Sequence, residues 1–308
     1  MILSKSLFYL NARRIQSSHS RIKNTTTQTT ISKKNTNNTR RKMLLSSGGV
    51  LLSTSSSLSM NTKGGAQART KAFSSEQIAQ VLKDPQFPAI YPFTQKDMQR
   101  YDESSDGEFY AQPRLVKHID DEAIGALTKY YEKEFLTSKT KNSTTEDDLS
   151  VLDICSSWIS HYPESVKFKR CAGTGMNKEE LARNQRFTEP ATVVDLNETP
   201  KLPYEDNSFD FVTNCVSVDY LTKPLEVMQE VRRVLKPGGR AIMSFSNRCF
   251  PTKAVSIWTA CGDLDHIWIV GAYYHYANGF DAPEGIDISP NPGRTDPMYV
   301  VTATKTMV

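Results

Sequence analysis

Between residues 150 and 305, apolar and polar positions fall into blocks that read alternately as strands and helices. Residues 209–216 (FDFVTNCV) run apolar and small, which suits a strand covered on both faces. Asp206-Asn207-Ser208 just before it is turn chemistry. Pro224 suits the first turn of a helix, and Leu225, Met228, Val231 and Leu235 then recur at spacings of three and four, giving one apolar face. Lys236-Pro237-Gly238-Gly239 predicts the helix end, with a glycine in the left-handed conformation. Residues 240–247 (RAIMSFSN) predict the next strand. A strand, a crossover helix and a strand make parallel neighbours with a right-handed connection.

The alternation extends both ways. Residues 150–154 (SVLDI), 165–172 (SVKFKRCA) and 191–196 (ATVVDL) read as three further strands. Asn177 predicts an N-cap, with Glu180 three residues on as its capping-box partner. Residues 266–277, rich in aromatic and β-branched side chains, and residues 296–305 (DPMYVVTATK) read as the closing strands. Strands alternating with helices predict an α/β fold, an open doubly wound sheet with helices on both faces. Ahead of it, residues 109–121 lead into a helix over 123–135, and residues 142–148 (NSTTEDD) read as a polar linker.

Composition changes the picture at the front of the chain. No Asp or Glu precedes Glu76, and the first 42 residues hold ten Lys or Arg among many Ser, Thr and Asn. Such a segment has the composition of an organelle transit peptide. Arg40-Arg41 then leads an uncharged run to Met60 and an Ala66-Gln67-Ala68 site, which resembles a twin-arginine export signal. Residues 1–68 are therefore expected to be a cleavable, disordered bipartite targeting region for a chloroplast, with the thylakoid lumen as the address. A mitochondrial or stromal presequence, or plain disorder, is the alternative. Residues 69–145 are expected to be an N-terminal helical extension or lid, and residues 146–308 the main domain. Its helix has two readings, a cap over a cleft or a helix packed on the sheet edge.

Charge separates at the same boundary. The chain of 308 residues is +4 overall, but residues 1–68 hold 11 Lys or Arg and no acid. The remainder has 27 basic against 34 acidic residues, net −7, which argues against nucleic acid as the partner. No stretch reaches 18 apolar residues, so no integral membrane segment is expected in the mature protein. None of the five cysteines has zinc-ligand spacing, so no metal is expected. Cys155 and Cys215 fall at neighbouring strand ends, where a disulfide is geometrically open; buried free thiols are the alternative. Oligomeric state is not legible.

The stretch from residue 202 to 239, LPYEDNSFDFV followed by LKPGG, resembles the class I S-adenosylmethionine (SAM)-dependent methyltransferases of the small-molecule type called type 11. The resemblance implies a Rossmann-like, mostly parallel seven-stranded sheet, SAM as cofactor and a small-molecule acceptor. It places the cofactor at the loop after the first strand, where the family carries V-L-D-x-G-x-G-x-G. Here that segment is VLDICSSWISH. Asp153 keeps the acid, while Cys155, Ser157 and Ile159 replace the glycines. The acid that usually ends strand two falls at Gly175, with Asn177 as a substitute partner for the ribose; Gly173 and Gly175 are expected to make room nearby. The family's adenine contact falls at Asp195 and Leu196, and Cys215 falls at the end of strand four. Asp219 and Tyr220 follow it and are the candidate general bases, with His118 and His161 behind them. Trp258, Tyr273, Tyr274, His275 and Tyr276 read either as an aromatic cleft or as core. A non-catalytic binding or assembly protein of the same fold that has lost SAM is the alternative function. An enzyme using another nucleotide is a third, though no G-x-G-x-x-G or G-x-x-x-x-G-K-[ST] is present to support it.

Overall fold

The computed structural model describes residues 73–142 and 148–307, with side chains omitted from 138 to 142. The targeting region expected over 1–68 lies outside the described residues, as do residues 143–147 of the linker. Among the described residues no helix is long and apolar enough to cross a membrane.

Seven strands form one sheet: β1 (Ser150–Asp153), β2 (Arg170–Gly175), β3 (Thr192–Val193), β4 (Phe209–Cys215), β5 (Leu235–Phe245), β6 (Glu284–Asp287) and β7 (Tyr299–Thr304). Their order is β3-β2-β1-β4-β5-β7-β6. The first five run parallel, and β7 lies antiparallel to both β5 and β6. Chain order proceeds outward from β1 to β3 and then returns to β4 on the other side of β1. That reversal is the switch point at which open α/β sheets bind ligands.

Among the described residues seven helices accompany the sheet: α1 (Ser75–Lys83), α2 (Asp106–Phe109), α3 (Asp121–Asn142), α4 (Lys178–Ala182), α5 (Pro224–Val234), α6 (Ser256–Thr259) and α7 (Asp263–Ala277). Neighbouring strand residues point to opposite faces. Leu152, Val212 and Met243 pack with Ile78 of α1, Val227 and Val231 of α5 and Val270 and Tyr274 of α7. Val151, Phe211 and Ile242 pack with Leu127, Tyr131 and Phe135 of α3. The helix over 123–135 is thus a layer of the core, and both readings of it are corrected: its apolar side matches the face of the central strands, not a cleft and not the sheet edge.

Three strand expectations shift. Residues 266–277 form helix α7, not a strand, because the aromatic and small residues there are buried nearly all round. A helix sandwiched between α1, α5 and the sheet shows no single polar side to betray its period. The strand expected over 165–172 starts only at Arg170, and the 191–196 strand shrinks to Thr192–Val193. The crossover helix ends at Val234, so Leu235 is already strand. Gly238 takes φ +75° within β5, beside a register shift opposite Phe209 and Phe211.

Candidate functional site

A cavity of about 450 Å³ opens at the carboxyl ends of β1, β2 and β4. That volume falls in the range of small-molecule sites, roughly 300–1,000 Å³. Asp153, Cys155, Ser157, Asn177, Asp195, Leu196, Cys215 and Tyr220 all line it. Asp219 does not. Its neighbour Tyr220 turns toward the cavity from the 3-10 turn Val218–Tyr220, while Asp219 turns into the interior, 3% exposed. The roof is the segment ahead of α3, through Asp106, Tyr110, Val116, Lys117 and His118.

The rewritten loop keeps a backbone shape that glycine favours. Cys155 sits at φ +54° and His161 at φ +56°. For non-glycine residues that conformation costs roughly 1–3 kcal/mol and persists only where neighbours impose it. Hydrogen bonds from several neighbours impose it here. Ser156 Oγ donates to Asp153 Oδ2 at 2.6 Å, and the Ser156 amide donates to the Thr174 carbonyl at 2.7 Å. Ser157 Oγ donates to Glu180 Oε2 at 2.5 Å, and Asn184 Nδ2 donates to the Ser157 carbonyl at 3.0 Å. The Trp158 indole donates to the Val116 carbonyl at 3.1 Å, joining loop to roof. Side chains therefore fix what glycines elsewhere leave to the backbone alone.

The glycines on β2 do not open extra room. A Cβ on Gly173 would lie 2.1 Å from the Phe187 ring, and one on Gly175 would lie 2.2 Å from the Ser156 carbonyl oxygen. Both spaces are filled, one by a ring and one by the loop itself. An acid cannot stand at position 175 while the loop is where it is.

Asn177 is occupied as well. Its Oδ1 accepts from the amides of Glu179 and Glu180 at 3.0 and 3.1 Å, as the N-cap of α4. Its Nδ2 donates to the carbonyls of Tyr110 and Ala111 in the roof. Glu180 does not complete a capping box. Its carboxylate, 8% exposed, accepts from the Arg114 amide at 2.6 Å and from Ser157. Sequence reading gave Glu180 a helix-cap role because position N3 is where such acids stand; only the fold brings Arg114, 66 residues away, to it.

Electrostatics sort the remaining groups. Burial pushes the Asp153 carboxyl up to about 6, opposed by bonds from Ser156, Ser160 and Thr213. Thr213 Oγ1 in turn shares a 2.6 Å hydrogen bond with Tyr162 Oη. Asp195 Oδ1 accepts from the Asn197 amide at 2.8 Å, and Leu196 is buried beside it. Tyr220 Oη accepts from the Phe250 amide at 2.8 Å, and burial raises its hydroxyl. Burial pushes Asp219 up to about 8, and its Oδ2 has no hydrogen-bond partner. The sequence placed Asp219 in the cleft as a base; the structure places it behind the wall. His118 stands in the roof with its ring edge-on to Phe250.

All five cysteines are free. Cys155 packs with the core on the α5 and α7 side, Cys215 with the core on the α3 side, so the sheet separates the two candidates for a disulfide. Among the described residues no group of three or more His, Cys, Asp or Glu is placed to hold a metal. The aromatic set divides: Tyr273 and Tyr274 are buried in the core and Trp258 stacks on His266 at 3.8 Å, whereas Tyr276 is half-buried and His275 exposed.

Sequence reading missed the anchor of the roof. Lys253, 1% exposed, lies 3.4 Å from both Asp102 and Asp106 and donates to the Ser104 carbonyl at 2.6 Å. Arg100 pairs with Asp106 at 2.7 Å, and Asn197 Nδ2 donates to Asp106 at 2.9 Å. No local pattern marks these residues, which lie up to about 150 positions apart.

Fold and cavity together define a Rossmann-like domain of the class I methyltransferase type. Residues 154–243 match the family described as a methyltransferase domain, and this part of the chain is such a domain. A ubiquinone/menaquinone biosynthesis C-methyltransferase of Roseobacter denitrificans is 31% identical over 94 residues, 27% of this chain and 38% of that protein. A sterol 4-C-methyltransferase of Caenorhabditis elegans is 44% identical over 43 residues, 14% of this chain and 13% of that protein. A SAM-dependent methyltransferase structure from Aquifex aeolicus has a TM-score of 0.41 at 17% identity, over 65% of this chain and 97% of that one. The chain spans less than two fifths of the length of the curated relatives named here.

Proposed function

We propose that this protein is a SAM-dependent methyltransferase acting on a small-molecule acceptor in a plastid. One observation carries the reading: the switch-point cavity gathers the rewritten loop, still in a glycine-like conformation at Cys155, with Asp153, Asp195 and Leu196. The residues fit the cofactor. The 155–157 backbone would hold its amino-acid end, with the Ser156–Asp153 hydrogen bond keeping the loop in place. Asp195 and Leu196 offer an acceptor and an apolar face for a base. Bound there, SAM supplies an activated methyl group. The chain then has only to align the acceptor beneath the roof.

Tyr110, Tyr220 and Phe250 form an aromatic wall that suits a flat acceptor. The relatives' named activities, in ubiquinone/menaquinone biosynthesis and on a sterol, agree with a ring-bearing substrate. The basic, acid-free residues 1–68 support the plastid address, with the thylakoid lumen as its finer form.

Calorimetric titration of SAM into the protein, with Asp153→Ala beside it, tests the reading. Micromolar binding that the variant loses is the expected result. No heat up to millimolar SAM from a cooperatively folded protein would refute it and favour a non-catalytic role. A fluorescent fusion of residues 1–75 tests the address; cytosolic fluorescence would remove it.

A further inference from the structure

We infer that His161 is the proton acceptor of this cavity, taking at Nε2 the proton of a hydroxyl-bearing acceptor as that oxygen is methylated. The inference rests on the methyltransferase reading and names the acceptor's chemistry within it.

Three observations converge on His161. Its side chain lines the cavity. Its backbone is in the left-handed region at φ +56°, which few non-glycine residues occupy although histidine does so more readily than most, and α3 holds it there: Thr128 Oγ1 donates to the His161 carbonyl at 2.9 Å. Its ring is unengaged among the described residues. Nδ1 is buried without a partner, and Nε2 is neither buried nor bonded, which leaves Nε2 as the reachable nitrogen. His266 shows the contrast, with its ring stacked on Trp258 and Nε2 at 2.9 Å from the Trp258 carbonyl. A histidine with a purely structural task looks like His266. A strained backbone that presents an unbonded imidazole to a ligand cavity points to a task for the ring.

The ring is kept neutral. Burial, then the charges of Lys117 and His118 in the roof, push His161 down to about 4. At neutral pH it is a base with a free lone pair. It is a weak one, and the chemistry suits a weak one. As a neutral hydroxyl oxygen forms its bond to the methyl carbon, the carbon–sulfur pair stays with sulfur and the O–H proton becomes strongly acidic. That proton passes to Nε2 and leaves the imidazolium for water at the cavity mouth. An acceptor with no proton to lose would give His161 no work.

Diethyl pyrocarbonate labelling read by peptide mass mapping tests this on the full chain without knowledge of the natural acceptor. His161 is expected to be labelled at a rate that stays flat from pH 7.5 down to about pH 5, whereas an ordinary histidine slows below its usual value near 6.5. S-adenosylhomocysteine is expected to leave the labelling unchanged within about threefold, and excess catechol, the hydroxylic probe, to slow it at least fivefold in that complex. The variants His161→Asn and His161→Gly, both tolerant of left-handed backbone, are expected to bind S-adenosylhomocysteine within about threefold of the native protein. An unlabelled His161 would overturn the inference. So would full protection by S-adenosylhomocysteine alone, which would assign the ring to the cofactor, or labelling indifferent to catechol. Labelling as expected in a protein that binds no S-adenosylhomocysteine would instead sink the methyltransferase reading, and this inference with it.

Discussion

Replacing Gly175 by Asp restores the acid that the family resemblance places at the end of strand two. By sequence alone the change should strengthen cofactor binding. The structure reverses that expectation. A Cβ at 175 would lie 2.2 Å from the Ser156 carbonyl oxygen and 3.1 Å from Leu181 Cδ2. The loop must retreat by roughly 1 Å to reach ordinary contact. Doing so strains the Ser156 amide bond to Thr174 and the Ser156 hydroxyl bond to Asp153, now 2.7 and 2.6 Å. Overpacking costs about 1–3 kcal/mol and a lost hydrogen bond about 1 more, so the variant should lose about 2–4 kcal/mol of stability. For a domain of this size that lowers Tm by roughly 5–15 °C. Urea unfolding followed by circular dichroism, with SAM titration in parallel, measures both effects. Gly175→Ala should lose nearly as much stability, because the clash begins at Cβ. A Gly175→Asp protein as stable as the native one, with tighter SAM binding, would refute the reasoning: the loop would then be free to move and the glycine incidental.

Three further perturbations probe other parts of the site. Glu180→Ala removes the carboxylate that accepts from Arg114 and Ser157, charged bonds worth about 1.5–3 kcal/mol each; amide exchange over 110–118 should quicken at least tenfold, and unchanged exchange would exclude Glu180 as the roof's tether. Asp219 is raised by burial, so its carboxyl costs the fold nothing below about pH 4, and the cost grows as pH rises from there toward about 8. Asp219→Asn should therefore raise Tm at pH 8 and leave it unchanged at pH 4, and equal shifts at both would contradict that account. Lys253→Ala strands Asp102 and Asp106 beside an empty buried volume and should cost about 3–5 kcal/mol by urea unfolding; a loss under about 1 kcal/mol would mean that Arg100 alone neutralises the cluster.

Much of the fold was legible because it is written in local pattern. The turn at 206–208, the continuous apolar run of β4 and the Pro-led α5 are short-range signals, and each lies within two residues of its expected place. Helix α7 was not legible, because burial on nearly every side erases the polar face from which a helical period is read. Strand β2 was displaced because the alternation in SVKFKR mimics a strand, although Phe168 and Lys169 belong to the loop before it. The edge strand β6, four residues with a central Gly285, carries too little pattern to be seen.

The site divides in the same way. Asp153, Asp195 and Tyr220 were placed by the family resemblance, and they meet at one cavity because in a parallel sheet every carboxyl end faces the same crevice. Sequence by itself thus determined the sheet, the crevice and the residues at strand ends. Tertiary structure alone decided which way each side chain turns and what meets it. Asp219 and Tyr220 are adjacent in sequence, yet one is sealed in and the other lines the cavity. Glu180 carries only the local mark of a helix cap and Lys253 carries none, and their roles come from partners 66 and about 150 residues away. Local propensity acts over a few bonds, whereas a buried charge or a filled glycine is defined only by what the folded chain brings against it.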